Sequence, residues 1–196
     1  MLKKLSEQYN IILGSASPRR KELLSDIGVR FSIQTTDQEE NFLTTIKEEE
    51  IAEFLAKQKS EFLSVNLQQN DLLITADTIV SFNNELLNKP KNKEEAFKTL
   101  NKLSGNTHKV ITGICLKSKN KEIVFSATTL VTFKALSKDE IHHYINKYNP
   151  YDKAGAYGIQ DWIGKIGIIN INGSYTNVVG LPISELYQHL KLFIRK

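Results

Sequence analysis

Arg19 and Arg20 follow the tripeptide Ser-Ala-Ser and Pro18, directly after the apolar run Ile11, Ile12, Leu13 and Gly14. The run reads as a buried strand. Pro18 then opens a helix with Ser17 as its N-cap. Cations in a first helical turn oppose the macrodipole, whose N-terminal end is already positive. An anion held by the helix N-terminus, Ser15, Ser17 and one or both guanidinium groups would resolve that conflict. Two solvated arginines beside a plain cap are the alternative.

Asp77 stands inside LLITADTIV, where strand alternation calls for apolar residues and no basic residue adjoins it. A buried carboxylate is costly unless it is paired, hydrogen-bonded or metal-bound. It reads as a general base or metal ligand at a strand break, or as an aspartate satisfied by backbone amides. Lys59 lies on the flank of a helical stripe, four residues after Leu55, where it could simply snorkel. Lys89 sits in a turn fixed by Pro90. Glu39 and Glu40 fall in a polar loop; they are solvated charges or a pair of oxygen donors for a divalent cation. Gln160 closes the stretch DKAGAYGIQ and can offer both a donor and an acceptor to a base edge. The four histidines show no metal-ligand spacing, and Walker A, GxGxxG and GxSxG patterns are absent. Several cations, several carboxylates and a serine-lined helix N-terminus together suit a metal-bound polyphosphate.

The elements that must carry these groups alternate between helix and strand. A short strand is expected at FSIQT, after a cap at Gly28. A helix is predicted from Glu48 to Phe62, with Ile51, Phe54, Leu55 and Phe62 as its apolar stripe. A buried strand over residues 71–82, interrupted by polar residues, ends in a turn at Asn83-Asn84. Asn92 with Glu95 begins a helix ending near Gly105. Strands near 108–117 and 122–135 follow, and Ser137 with Glu140 starts a helix that puts Ile141, Tyr144, Ile145 and Tyr148 toward the core. A glycine-bearing loop over 153–164 leads to a hairpin expected at Asn172-Gly173. Pro182 and Ser184 introduce the last helix. The pattern is mixed α/β, with too many adjacent strands for a regular doubly wound sheet.

With 196 residues, the chain is long enough for a sizeable core, and one domain over 1–196 is expected. Its 26 basic and 22 acidic residues leave a net charge of +4, too slight to argue for nucleic acid. No aromatic-basic interleaving supports a nucleic-acid partner either. Cys115 is the single cysteine, so an intrachain disulfide is excluded and a reducing compartment is expected. The N-terminus is too polar for a signal-peptide core, and no apolar run reaches the length of a membrane span. The expected location is therefore the cytoplasm, with no membrane partner.

SASPRRKELL, the acidic pair at 39–40, LAKQKSE, ADTIV, NKP, LSGNTHKVITG, DKAGAYGIQ and NGSYTNVVGLPISE resemble, in order and spacing, the Maf family of nucleoside triphosphate pyrophosphatases. The resemblance covers Ile11 to about Leu190. It implies a mixed, twisted sheet flanked by helices, with two lobes around a cleft, similar to inosine triphosphate pyrophosphatases. It further implies hydrolysis of a nucleoside triphosphate to the monophosphate and pyrophosphate, with a divalent metal, Mg²⁺ or Mn²⁺. By position, Asp77 would activate water, and Ser15, Ser17, Arg19, Arg20, Lys59 and Lys89 would bind the triphosphate. Glu40, with Glu39 and Asp77, would hold the metal. Arg19, Thr78 and Gln160 match the specificity positions of the branch acting on dTTP and UTP. A homodimer is compatible with the resemblance alone. A nucleotide-binding regulator of septum formation, acting without turnover, is the rival reading. The chain departs from the family pattern at Asn84 and Asn88, where glycine is common, and at Asp161-Trp162, where a bulky indole could reshape a base pocket.

Overall fold

Side-chain caps start three of the helices. Ser17 accepts a long hydrogen bond from Arg20 N, Asn92 accepts from Glu95 N, and Ser137 and Glu140 form a full capping box. In the computed structural model, which describes residues 2–36 and 47–194, the order is α1 (Leu2–Gln8), β1 (Asn10–Gly14), α2 (Pro18–Asp26), β2 (Ser32–Ile33) and α3 (Glu48–Leu63). Then come β3 (Asp71–Phe82), β4 (Glu85–Leu86), α4 (Lys93–Leu103), β5 (Thr107–Lys117), β6 (Glu122–Phe133) and α5 (Lys138–Tyr148). The chain finishes with α6 (Trp162–Gly167), β7 (Ile168–Asn172), α7 (Tyr175–Val179) and α8 (Ile183–Phe193).

Seven strands form one mixed sheet in the order β2-β1-β3-β5-β6-β7, with β4 paired to β3. β1 is parallel to β2 and β3, whereas β4 and β7 are antiparallel to their partners. The mixed α/β architecture expected from the sequence is therefore present. Two compact units divide the chain: Met1–Asp77 with Thr112–Ala127 and Gly180–Lys196, and Thr78–Ile111 with Thr128–Val179. The first buries Leu5, Leu13, Leu24, Leu72, Ile74 and Leu186; the second buries Leu100, Leu103, Val131, Phe133, Ile141 and Tyr144. Among the described residues, no helix is long and apolar enough to cross a membrane.

Four local expectations need correction. The buried face of α3 is Ile51, Ala52, Leu55, Ala56, Ser60 and Leu63, while Phe54 is exposed. Small residues win that face because α3 lies directly on the sheet: a Cβ at Gly113 of β5 would stand 2.1 Å from the Ala52 carbonyl oxygen. Secondly, β3 runs unbroken for 12 residues, so Asp77 is not at a break. Its pairing with β1 does end at Thr75, opposite Gly14, two residues before Asp77. Thirdly, the loop over 153–164 contains 3-10 turns and yields to α6 at Trp162. Finally, Asn172-Gly173 makes no hairpin. Ser174 Oγ instead accepts from Asn177 N, a cap-like contact, and α7 follows. The hairpin motif proper is Asn83-Asn84, where φ values of 53° and 61° join β3 to β4.

Candidate active site

In the first unit, the geometry begins where β1 ends. Beyond Gly14 the chain turns into Ser15 and the N-terminus of α2, and β3 past Thr75 is no longer paired to β1. In a parallel pair this carboxyl end is the usual place for a ligand. Ser15 Oγ accepts from Ser17 N at 3.3 Å and from Arg20 Nη1 at 3.3 Å. A hydroxyl has two lone pairs and one proton, so both acceptor positions are used and the proton remains to donate.

Arg20 is only 9% exposed, and its guanidinium is directed at protein. Nε donates to Gly180 O at 2.8 Å, and Nη1 donates to Ala76 O at 2.7 Å. It thereby ties α2 to β3 one residue before Asp77 and to the segment preceding α8. This bracing is a task that the sequence reading of Arg20 as a phosphate-binding residue did not include. Arg19, half-buried, occupies the same first turn.

Lys59 and Asp77 meet. The Lys59 ammonium donates to Asp77 Oδ1, and each side chain is 16% exposed. Lys59 therefore does not merely snorkel. Its position follows from the packing of α3 on the sheet: Thr75 Oγ1 donates to Ala56 O at 2.6 Å, three residues before Lys59. Gly14 and Thr75 pack equally tightly, since a Cβ on Gly14 would lie 2.6 Å from Thr75 Cγ2. Ser15, Ser17, Arg20, Lys59 and Asp77 are thus linked through one continuous set of contacts in this unit.

A divalent cation such as Mg²⁺ or Mn²⁺ prefers hard oxygen donors, and the Asp77 carboxylate suits that preference. Among the described residues no three His, Cys, Asp or Glu side chains converge as a metal cluster. Glu39 and Glu40 lie outside the described residues.

The second unit holds Thr78, Lys89 and Gln160. Thr78 is half-buried on β3, and Lys89 is exposed before Pro90. Gln160 Oε1 is buried and accepts no hydrogen bond among the described residues. Its turn is braced from α5. Tyr144, fully buried, donates its hydroxyl proton to Asp161 Oδ2 at 2.6 Å and accepts from Gly158 N at 3.1 Å. Burial, reinforced by the Asp161 hydrogen bond, pushes the Tyr144 phenol far above its ordinary pKa, so it remains a donor. Trp162 packs against the core of this unit, edge-on to His143 at 4.8 Å.

A family model described as Maf-like protein matches residues 10–193. The chain belongs to this family. Among its Maf relatives, one from Flavobacterium psychrophilum is 49% identical over 97% of each chain. Another, from Phocaeicola vulgatus, is 50% identical over 94% of this chain and 96% of its own. A third, from Flavobacterium johnsoniae, is 44% identical over 99% and 100%. All three are called dTTP/UTP pyrophosphatase. A solved nucleoside-triphosphatase, a dITP/XTP pyrophosphatase from Mycobacterium abscessus, is 11% identical with a TM-score of 0.43, covering 95% of this chain and 98% of that one. At that TM-score the likeness carries nothing about activity.

Sequence reasoning missed the carbonyl acceptors of Ala76 and Gly180 and the hydroxyl of Tyr144. Backbone acceptors leave no trace in residue type. Tyr144 left one: a hydroxyl flanked by Ile141 and Ile145 on a core-facing stripe must find a partner when buried.

Proposed function

We propose that this chain is a nucleoside triphosphate pyrophosphatase acting on dTTP and UTP, releasing the monophosphate and pyrophosphate. The observation that carries the reading is near-full-length identity of 44–50% with Maf relatives bearing that name. The cluster around Asp77 supplies a mechanism compatible with it.

Ser15, through its remaining proton, donates to a triphosphate oxygen at the N-terminus of α2, with Ser17, Arg19 and Arg20 completing that wall. Lys59 and Lys89 add positive charge against the phosphates. Water attacks the α-phosphorus; the new P–O bond forms as the bond to the bridging β-phosphate oxygen breaks. Asp77 takes the water proton, Oδ2 being the oxygen that Lys59 does not engage. Asp77, with Glu39 and Glu40, would hold Mg²⁺ or Mn²⁺, which neutralises phosphate charge when bound. Most of the acceleration then arises from positioning and preorganised charge. Thr78 and Gln160 read the base, and Gln160 Oε1 suits the imide N–H of uracil or thymine. Cytosine presents a lone pair at that ring position and is disfavoured.

The test is incubation of the purified protein with dTTP, UTP, CTP, ATP and GTP, each with Mg²⁺ or Mn²⁺, with pyrophosphate release as the readout. Pyrophosphate is expected fastest from dTTP and UTP. Asp77→Asn should lower turnover about 10²–10⁴-fold while nucleotide binding persists. No pyrophosphate from any of the five would overturn the reading.

A further inference from the structure

The turn carrying Gln160 is held by an arrangement that ordinary helix capping does not explain. Asp161 is the N-cap of α6, a position where an aspartate normally accepts a hydrogen bond from an amide of the first turn. Its side chain makes no such bond. The carboxylate turns instead to the Tyr144 hydroxyl at 2.6 Å, with Lys153 Nζ 3.9 Å from the same Oδ2. The helix therefore forgoes a cap contact in favour of a bond to α5.

The same phenol accepts from Gly158 N at 3.1 Å, and Asp161 N donates to Gly158 O at 3.0 Å. Residues 158 and 161 are consequently fastened to each other and to one fully buried side chain, with Ile159 and Gln160 between them. The closure is tight enough to require glycine at 158. A Cβ there would stand 2.6 Å from Asp161 Oδ2 and 2.8 Å from its Cγ. Ile159 is itself 5% exposed, anchoring the turn from the other side. What remains to be oriented is the Gln160 amide, whose buried Oε1 accepts nothing among the described residues.

We propose that Tyr144 and Asp161 are positioning residues for base selection: their hydrogen bond fixes the turn that aims the Gln160 acceptor at the pyrimidine imide. The proposal rests on the reading above, in which Gln160 meets the base. Neither residue touches the substrate. Their effect passes through the direction of one acceptor, so it falls on discrimination and KM rather than on the hydrolytic step. A hydrogen bond aimed correctly at an N–H favours UTP, and a misaimed one loses its hold over CTP.

The experiment is the ratio of kcat/KM for UTP over CTP in the wild type, Tyr144→Phe, Asp161→Ala, Asp161→Asn, Asp161→Leu and Gln160→Ala. Tyr144→Phe and Asp161→Ala should each lower the ratio about tenfold, the size of one net hydrogen bond. The loss should appear as a raised KM for UTP with kcat nearly kept. Asp161→Asn retains an oxygen for the Tyr144 proton and should keep most of the ratio, whereas Asp161→Leu fills the space without an acceptor and should lose it, which a merely space-filling role would not predict. Should Tyr144→Phe fail to fold, the Asn-against-Leu contrast at 161 decides alone. A ratio unmoved in Tyr144→Phe and Asp161→Ala, but collapsed in Gln160→Ala, overturns the positioning role and leaves base reading intact. A ratio unmoved in Gln160→Ala removes the base-reading role, and this proposal with it.

Discussion

At the carboxyl end of β1, the first unit gathers charge: Arg20 is directed at two backbone carbonyls, and Lys59 lies against Asp77. In the second unit, His108, Tyr157 and Tyr144 are buried polar groups whose uncharged forms are favoured. His108 stacks on Phe133 and meets Tyr157 edge-on, with Nε2 2.7 Å from the Tyr157 hydroxyl. Charges can stay in the first because Arg20 meets carbonyl acceptors and Lys59 a countercharge; on the proposed reading a polyanion then finds preorganised cations. On the proposed reading the second presents Gln160 to an uncharged base edge, where directed hydrogen bonds discriminate.

The most forceful way to break the contrast is Arg20→Lys. An ammonium keeps the charge but cannot reproduce the planar fork that reaches Gly180 O, Ala76 O and Ser15 Oγ together. The expected loss of stability is about 2–4 kcal/mol, since buried acceptors lose charge-assisted partners. Hydrolysis should fall in parallel, because the backbone beside Asp77 loosens. Urea unfolding and pyrophosphate release measured on one preparation check both. Wild-type stability in the variant would show that charge alone, rather than the fork, serves the first unit.

The second unit is probed by pH. Burial holds the His108 imidazole down at about 4, against an ordinary value near 6.5. Between those values the unfolded chain takes up a proton that the folded chain refuses, so stability rises with pH across that window. It is fully present above about 6.5 and is lost as the pH falls toward 4. The contribution is on the order of 3 kcal/mol. His108→Phe should flatten this part of the stability profile and leave kcat at pH 7.5 nearly unchanged. An equally steep fall from pH 6.5 to 4 in the variant would assign the titration elsewhere.

How much of this the sequence reveals depends on the range of each interaction. Ser17, Asn92 and Ser137 are legible as caps because the donor and acceptor lie three residues apart. Asn83-Asn84 is legible because paired asparagines accept positive φ. Asn172-Gly173 offers a similar local signal and is overruled: Thr129 Oγ1 accepts from Ser174 N at 3.0 Å, tying the segment to β6 while α7 begins. Asp77 is visible as an anomaly, a carboxylate in an apolar run. Its partner is not, because Lys59 is 18 residues away and is brought in by glycine and alanine contacts under α3. For the same reason Arg20 shows its charge in the sequence but not its two carbonyl acceptors, 56 and 160 residues further on.

The smallest effect sharpens the comparison from within the first unit. Cys115 is fully buried on β5, two residues from the Gly113 contact with α3. Despite the Ser60 hydroxyl and the charges of Lys117 and Lys57, burial pushes its thiol up to about 11. In the closed protein at pH 8, only about one thiol in a thousand is thiolate, the reactive form. The native protein should therefore leave an aromatic disulfide reagent unreduced for many minutes and react fully in urea. Because α3 also carries Lys59, slow native labelling reads the opening of the surface on which the Lys59–Asp77 pair depends. Gly113→Ala forces a methyl toward the Ala52 carbonyl and should accelerate labelling and lower hydrolysis together. Faster labelling with hydrolysis unaltered would separate the seating of α3 from the chemistry at Asp77.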